Sequence, residues 1–501
     1  MAELASPTSR TLVRGGWIVA FDGTEHRILQ DGVLVYEGDS IIHVGKRYDG
    51  PVDNVIDASC DLVIPGLINT HVHVGSQAGD RMILDAGRRD LFRSGFLNHW
   101  PAKGVGGPNL FAFEDQRASI RYSLASLLRF GSTTVVEMGG EFGDDPGGLA
   151  RMAVELGLRL YTTPGFSSAN HYYDQAGRLQ RHWDEKAGEA ALDRAIAFAT
   201  EHGGNHGDLI RAILVPYEFY LCTPALLRRA KRAAAQLGIG ITLHIAESVI
   251  EFQDTLRETG KTPIGLLREI DFLGPEVILG HCLYTGGHSQ TAYPFDDDVK
   301  AVAESGASVA HCPLVFGRRG LTLESFQRYL DAGVNISIGT DTYPQDILEE
   351  LKIASILGKV ADRDFEAARA RDVFNAATLG GSRALRRDDL GRIAPVAKAD
   401  LVIVDFARLR VGPFLDPIKA LVQCGVGELV KHVVVAGRSV VDNGVLPGCD
   451  EAKILADVRT STNAAWRHFG DYHHGPEPID QAYPRAFAPW TEPAQCTGRN
   501  Y

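Results

Sequence analysis

The chain has 501 residues, 45% of them hydrophobic and 23% charged, with a formal net charge of −12, the balance of a globular protein whose core needs no disulfides. That acidity, without blocks of Lys and Arg among aromatics, excludes a nucleic-acid surface; no signal-like start or apolar run of membrane length occurs, so no membrane partner and a cytoplasmic location are expected. The seven cysteines are scattered and form no CxxC pair, which excludes a disulfide framework and a structural zinc knuckle.

In chain order, residues 11–60 read as short strands between turns: Thr11–Val13, Gly16–Ala20, Gly32–Tyr36 and Ile41–Val44. From about residue 64 to 392, apolar strands alternate with helices such as Pro224–Leu237 and Asp346–Gly358. The strands are Thr133–Met138, Arg159–Thr163, Ile210–Val215, Gly240–His244, Val277–Gly280, Ala307–Ala310 and Asn335–Gly339, an alternation that marks a parallel α/β fold. Counting the strand that carries Val63 and Ile64 gives eight, so a (β/α)8 TIM barrel is expected over residues 65–392, with an open doubly wound sheet as the alternative. Strand-like segments return at Ala399–Asp405 and Leu429–Ser439, and residues 1–64 with 393–450 are expected to form one composite β-sandwich domain. The 451–501 extension begins as a helix, ends rich in Pro and aromatics, and carries His473 and His474 as surface residues.

In such a barrel, functional side chains stand at the C-terminal ends of strands. His71 and His73 follow VIPGLINT, His244 ends GITL, His281 ends VILG, and Asp341 ends NISIGT. An HxH pair on an extended segment turns both imidazoles to one face, because side chains alternate with period two. Three imidazoles and a carboxylate form a shell for one divalent metal ion, Zn2+ first and Fe2+ as the alternative, with a position left for water. Taken singly, a histidine after a strand can be structural, and Asp341 can cap the next helix. Several strands ending together in such groups is what points to a metal site.

PGLINTHVH (65–73), HIAE (244–247), GHC (280–282), AHCP (310–313), GTD (339–341), NAATLGG (375–381) and KADLVIVD (398–405) together resemble the amidohydrolase superfamily, in the branch of triazine hydrolases and cytosine deaminases. The chain is also similar, more weakly, to phenylurea and thiocarbamate hydrolases. The resemblance implies that His71, His73, His244 and Asp341 hold the metal, that His281 assists the water or the forming oxyanion, and that Glu247 shuttles protons. Two-metal members carry a carboxylated Lys on the fourth strand; IRAILVPYEFYL has none, which implies a single ion. The implied activity is hydrolysis of a carbon–nitrogen bond of a small molecule (amide, urea, carbamate or heterocyclic amine) through a metal-activated water. Glu247, His281 and Asp341 are then catalytic. The alternatives are strict deamination of a heterocycle, triazine-type dechlorination and, remotely, a non-catalytic scaffold. Relatives imply a homodimer or larger homo-oligomer.

Five further residues are candidates for the substrate pocket: Gln77, Trp100, Tyr217, His311 and Phe316. Only one of Tyr217 and Glu218 is expected to face the site, by alternation. Glu137, ending the second strand, is a candidate hydrogen-bond partner for a ligand histidine. Where many deaminases carry Pro-x-Ser-Asn, this chain has Pro313-Leu314-Val315-Phe316, a greasier wall that suits an acyclic amide or urea.

Overall fold

The computed structural model describes residues 9–82, 101–140, 145, 147–204, 206–475 and 477–491. Its largest sheet runs in the order Ile210–Arg211, Arg159–Tyr161, Ser132–Glu137, Leu67–Val72, Asn335–Ile338, Ser308–His311, Val277–His281, Gly240–Ile245, Ile213–Leu214. Its pairings are parallel, as expected of strands joined by covering helices. The two terminal strands of that order are separated only by Ala212: Ile210 pairs with Leu160 at one end, Ile213 with Gly240 at the other. The molecule is thus a mixed α/β fold organised on a parallel sheet.

The other major sheet has seven strands, in the order Arg438–Val441, Val430–Val435, Leu401–Val404, Asn54–Pro65, Arg10–Phe21, His26–Glu37, Ser40–Gly45. It brings strands from the first 65 residues and from residues 401–441 into one continuous hydrogen-bonded sheet. Thr11–Val13 and Gly16–Ala20 fuse into the single strand Arg10–Phe21, whose register slips between Gly15 and Trp17. A Cβ at Gly16 would meet the Ser59 carbonyl oxygen at 2.4 Å, so only glycine admits this bulge. One strand assignment is corrected. Val63 and Ile64 belong to the seven-stranded sheet, pairing with Ile403 and Val402, and the first parallel strand is Leu67–Val72. The chain crosses between sheets at Gly66, where a Cβ would lie 2.2 Å from Thr133 Oγ1.

The helices follow local signals. Thr223 caps Pro224–Leu237, which ends at Gly238 with φ +68°; Ser248 caps Val249–Thr259, and Asp346 caps Ile347–Asp362. The helix Glu451–Arg467 crosses Gln116–Arg129, and Trp466 Nε1 donates to the Ala78 carbonyl at 3.0 Å. Phe469, Tyr472 and Ala482 are buried with Ala78 and Leu110. His473 and His474 are corrected from surface residues: His473 is buried and stacks on Phe469 at 4.3 Å, and His474 stacks on Tyr173 at 3.9 Å. No helix among the described residues is long and apolar enough to cross a membrane.

A buried ion pair ties the two sheets together. Arg159 is fully buried; its Nε and Nη2 each donate to Asp400 at 3.1 Å, and its Nη1 donates to Asp208 Oδ2 at 3.0 Å. Asp400 Oδ1 also accepts from the Ala436 amide at 2.7 Å. Removing Asp400 leaves the buried guanidinium of Arg159 with Asp208 as its one remaining carboxylate among the described residues, so much of its charge loses compensation. Asp400→Ala is therefore expected to destabilise the protein by about 3–5 kcal/mol, read as a lower urea midpoint.

Candidate metal centre and active site

The expected ligands do meet. His71 and His73 lie at the end of the first parallel strand with ring centroids 5.4 Å apart, and His71 is 4.8 Å from His244 and 4.5 Å from His281. His73 Nε2 lies 2.9 Å from His244 Nε2 and 3.4 Å from Asp341 Oδ1, and His71 Nε2 lies 3.9 Å from the same oxygen. His244 Nδ1 is 2.5 Å from the Tyr217 carbonyl, an acceptor only. The proton therefore sits on Nδ1, and Nε2 turns a lone pair toward His73. Ligating atoms of His71, His73 and Asp341 lie within 4.8 Å of one another, as do those of His71, His244 and His281.

These residues fit a divalent cation. Both ring nitrogens of His71 and both of His281 are buried without a hydrogen-bond partner among the described residues, a costly arrangement unless a ligand satisfies them. Burial holds the imidazoles neutral, the form that binds metal: His73 is lowered to about 4, His244 to about 3, and His71 and His281 well below the usual histidine value. Burial also raises the Asp341 carboxyl, and raises Glu247 well above the usual carboxylate range with help from Glu218 and Asp341. A cation would relieve that crowding of acids.

The backbone around the centre is strained and braced. His281 (φ +75°), Asp341 (φ +58°) and Ala246 (φ +52°) adopt left-handed conformations that non-glycine residues enter only under constraint. The Glu251 carboxylate accepts the amides of Ala246 at 2.8 Å and Glu247 at 2.9 Å, fixing the turn that presents Glu247. Asn69 donates to Thr340 Oγ1 at 2.8 Å, Thr340 donates to Gln345 Oε1 at 2.6 Å, and Gln345 donates to the His73 carbonyl at 3.0 Å. Glu247 Oε1 lies 3.9 Å from His281 Nε2.

A cavity of about 600 Å³ opens on His73, His244, Glu247 and Asp341, within the range of small-molecule sites. Tyr217 is on its wall, its ring 5.0 Å from His244. Glu218 lines it too, against the expectation that only one of the pair would. The regular ladder ends at Leu214, so period-two alternation no longer governs residues 217 and 218. Three expected pocket residues are placed elsewhere. Gln77 donates to Ser123 Oγ at 3.1 Å and accepts from Arg81 Nε at 3.1 Å; Phe316 packs edge-on to His281 at 4.8 Å; His311 is buried 5.8 Å from Phe326. Val315, not Phe316, reaches the cavity. Trp100 lies outside the described residues. Glu137 lines the cavity, but its carboxylate accepts from the Gly140 amide at 2.8 Å and Thr162 Oγ1 at 3.0 Å instead of a ligand histidine. Sequence reasoning missed Asp80, Arg318 and Arg319 on the wall, and Glu251 behind it. Only Glu251 carried a signal, one helical turn after Glu247.

Neutral imidazoles and a carboxylate converging beside a cavity are the equipment of a metal-dependent hydrolase. Residues 62–440 match the model of the amidohydrolase family, and the chain belongs to that family: it is a hydrolase of carbon–nitrogen bonds. The chain is 30% identical over 435 residues to the 5'-deoxyadenosine deaminase of Methanothermobacter thermautotrophicus, covering 85% of this chain and 93% of that one. It is 26% identical over 452 residues to the 5-methylthioadenosine/S-adenosylhomocysteine deaminase of Pyrococcus abyssi, covering 89% and 96%. Its fold is similar to a zinc-bound adenosine deaminase from Xanthomonas campestris (TM-score 0.74, 22% identity, 92% and 99% covered). It is also similar to the zinc complex of an atrazine chlorohydrolase from Arthrobacter aurescens TC1 (TM-score 0.72, 22% identity, 90% and 100% covered).

Chelation is expected to abolish activity and lower Tm, since a ligand bound only by the folded state stabilises it, and added Zn2+ to restore both. His244→Ala should retain less than about one-tenth of the wild-type metal per chain after dialysis, read by elemental analysis.

Proposed function

We propose that this protein is a mononuclear zinc enzyme that deaminates a heterocyclic amine, with adenine nucleosides and their 5'-modified derivatives as the first substrate class to test. The observation that carries the reading is Glu247: its Oε2 is buried without a partner, on the wall of the cavity and beside His281. Burial and the neighbouring Glu218 raise its carboxyl well above the usual carboxylate range, which suits it to give a proton to a ring nitrogen or a departing amine. The names of the relatives support the substrate class. The parallel sheet is read as a closed (β/α)8 barrel joined through residues 210–214 and spanning 65–392, beside a domain built from 1–64 and 393–450.

His71, His73, His244 and Asp341 would hold the ion. When bound, it acidifies a water and polarises the carbon that bears the amine. Asp341 accepts the proton of the attacking water, and His281 hydrogen-bonds the oxygen as it adds. Glu247 protonates the ring nitrogen, the proton taken up by Asp341 passes to the amine, and ammonia leaves as the added hydroxyl returns its proton to Glu247 and becomes the carbonyl oxygen. A second reading, hydrolysis of an acyclic amide, urea or carbamate, is favoured by Val315, an apolar side chain on the wall. It would release a substituted amine. Dechlorination is disfavoured, since a departing chloride needs no proton and would leave Glu247 idle.

The zinc-loaded enzyme is expected to release ammonia from adenosine or 5'-deoxyadenosine. Glu247→Gln should lower kcat by about 10²–10⁴ with metal content unchanged. Substituted amine from ureas or amides, with no ammonia from any heterocycle, would overturn the deaminase reading in favour of the second.

A further inference from the structure

One carboxyl on the cavity wall has no part in this chemistry. Asp80 lies in the short helix Ala78–Met82, is 6% exposed, and lines the cavity. Its Oδ2 is buried without a hydrogen-bond partner among the described residues. Two of its neighbours are engaged elsewhere. Gln77 is bonded to Ser123, while the Arg81 guanidinium lies 4.7 Å from the Tyr343 ring centre and 5.7 Å from that of Tyr122. The helix itself is clamped, because the Glu114 carboxylate accepts the amides of Gln77 at 2.8 Å and Ala78 at 3.0 Å, and Trp466 donates to the Ala78 carbonyl.

A buried carboxyl with an unsatisfied oxygen costs folding free energy. Here the backbone that carries it is held too firmly for it to turn away. Burial raises the Asp80 carboxyl well above the usual range, Asp341 and Glu114 add to the rise, and Arg319 on the same wall and Arg81 oppose it. A polar group fixed at a folding cost on a ligand cavity is what substrate recognition requires, because the missing partner arrives with the ligand.

We infer that Asp80 determines specificity in this site by hydrogen-bonding an N–H or O–H group of the bound substrate. The inference rests on the cavity being the substrate site of the proposed reaction. It is set against a purely structural role, in which Asp80 serves only as a counter-ion to Arg319.

The two roles predict opposite changes in stability. Asp80→Leu keeps the branched shape and removes the orphaned oxygen, so a recognition residue gives Tm equal to or above the wild type, whereas a structural counter-ion gives a lower Tm. Asp80→Ala repeats the test without added bulk. The kinetic arm uses adenosine and 5'-deoxyadenosine with analogues in which one N–H or O–H at a time is methylated or replaced by hydrogen. In the zinc-loaded wild type, one such change is expected to lower kcat/KM by about 10–100-fold. In both variants that penalty should shrink to less than about threefold, with metal content unchanged. A penalty that persists in both variants, or a Tm that falls in both, would overturn the inference. A wild type that releases ammonia from no member of the panel would overturn the deaminase reading instead, and the Tm comparison would still decide for or against Asp80.

Discussion

The structure depends on one unfavourable meeting: His71, His73, His244 and His281 crowd against Asp341 and Glu247 with too few internal hydrogen-bond partners. Nothing about such a cluster is stable by itself. It persists because each member is fixed from behind, His244 by the Tyr217 carbonyl and Glu247 by the backbone turn that Glu251 grips. The first and last parallel strands are laced across the centre, where Asp341 donates its amide to the His71 carbonyl at 2.9 Å and His73 donates its amide to the Asp341 carbonyl at 2.6 Å. The left-handed residues at 246, 281 and 341 belong to the same logic. Strain is held at the strand ends because a buried parallel sheet leaves those residues no room to relax.

The groups that converge were largely legible in the sequence. HVH, HIAE, GHC and GTD each end an apolar strand, and strand ends on one edge of a parallel sheet share a face whatever the loops do. The first strand was harder to place because Leu62–Pro65 and Leu67–Thr70 are buried on both sides of Gly66. An apolar run that passes from one sheet to another carries no mark of the crossing except the glycine. The cavity wall was less legible for a different reason. Gln77, His311 and Phe316 have suitable chemistry near the right strand ends, but their direction is set by packing partners far away in sequence, such as Ser123 and Phe326. Asp80 and Arg319 failed in the opposite sense, reaching the cavity from positions with no pattern of their own.

The last part of the chain braces the site without touching the chemistry. Glu451–Arg467 and the aromatics after it pack on Ala78 and Leu110, while His474 stacks on Tyr173 in the small sheet made by Ala102–Lys103, Ala169–Tyr173 and Leu179–Trp183. The loops after the first and third parallel strands are thereby bound to a segment remote from both, which limits how far that side of the cavity can open.

The seven-stranded sheet also dictates an order of events at the ribosome. Asn54–Pro65 is made early and pairs at once with Arg10–Phe21, but its other edge belongs to Leu401–Val404. At ordinary translation rates that edge stays open on the order of tens of seconds, while nearly all of the parallel sheet is synthesised. An unpaired strand edge invites pairing with the wrong partner. The strand carries its own deterrent in Asp57 and Asp61, charges that make a second copy a poor match. Asp61 is neutralised only when Lys431 arrives, 2.9 Å away, from the late half of the same sheet. Of the acids that make the open edge a poor match for a second copy, one is thus later paired by the finished fold.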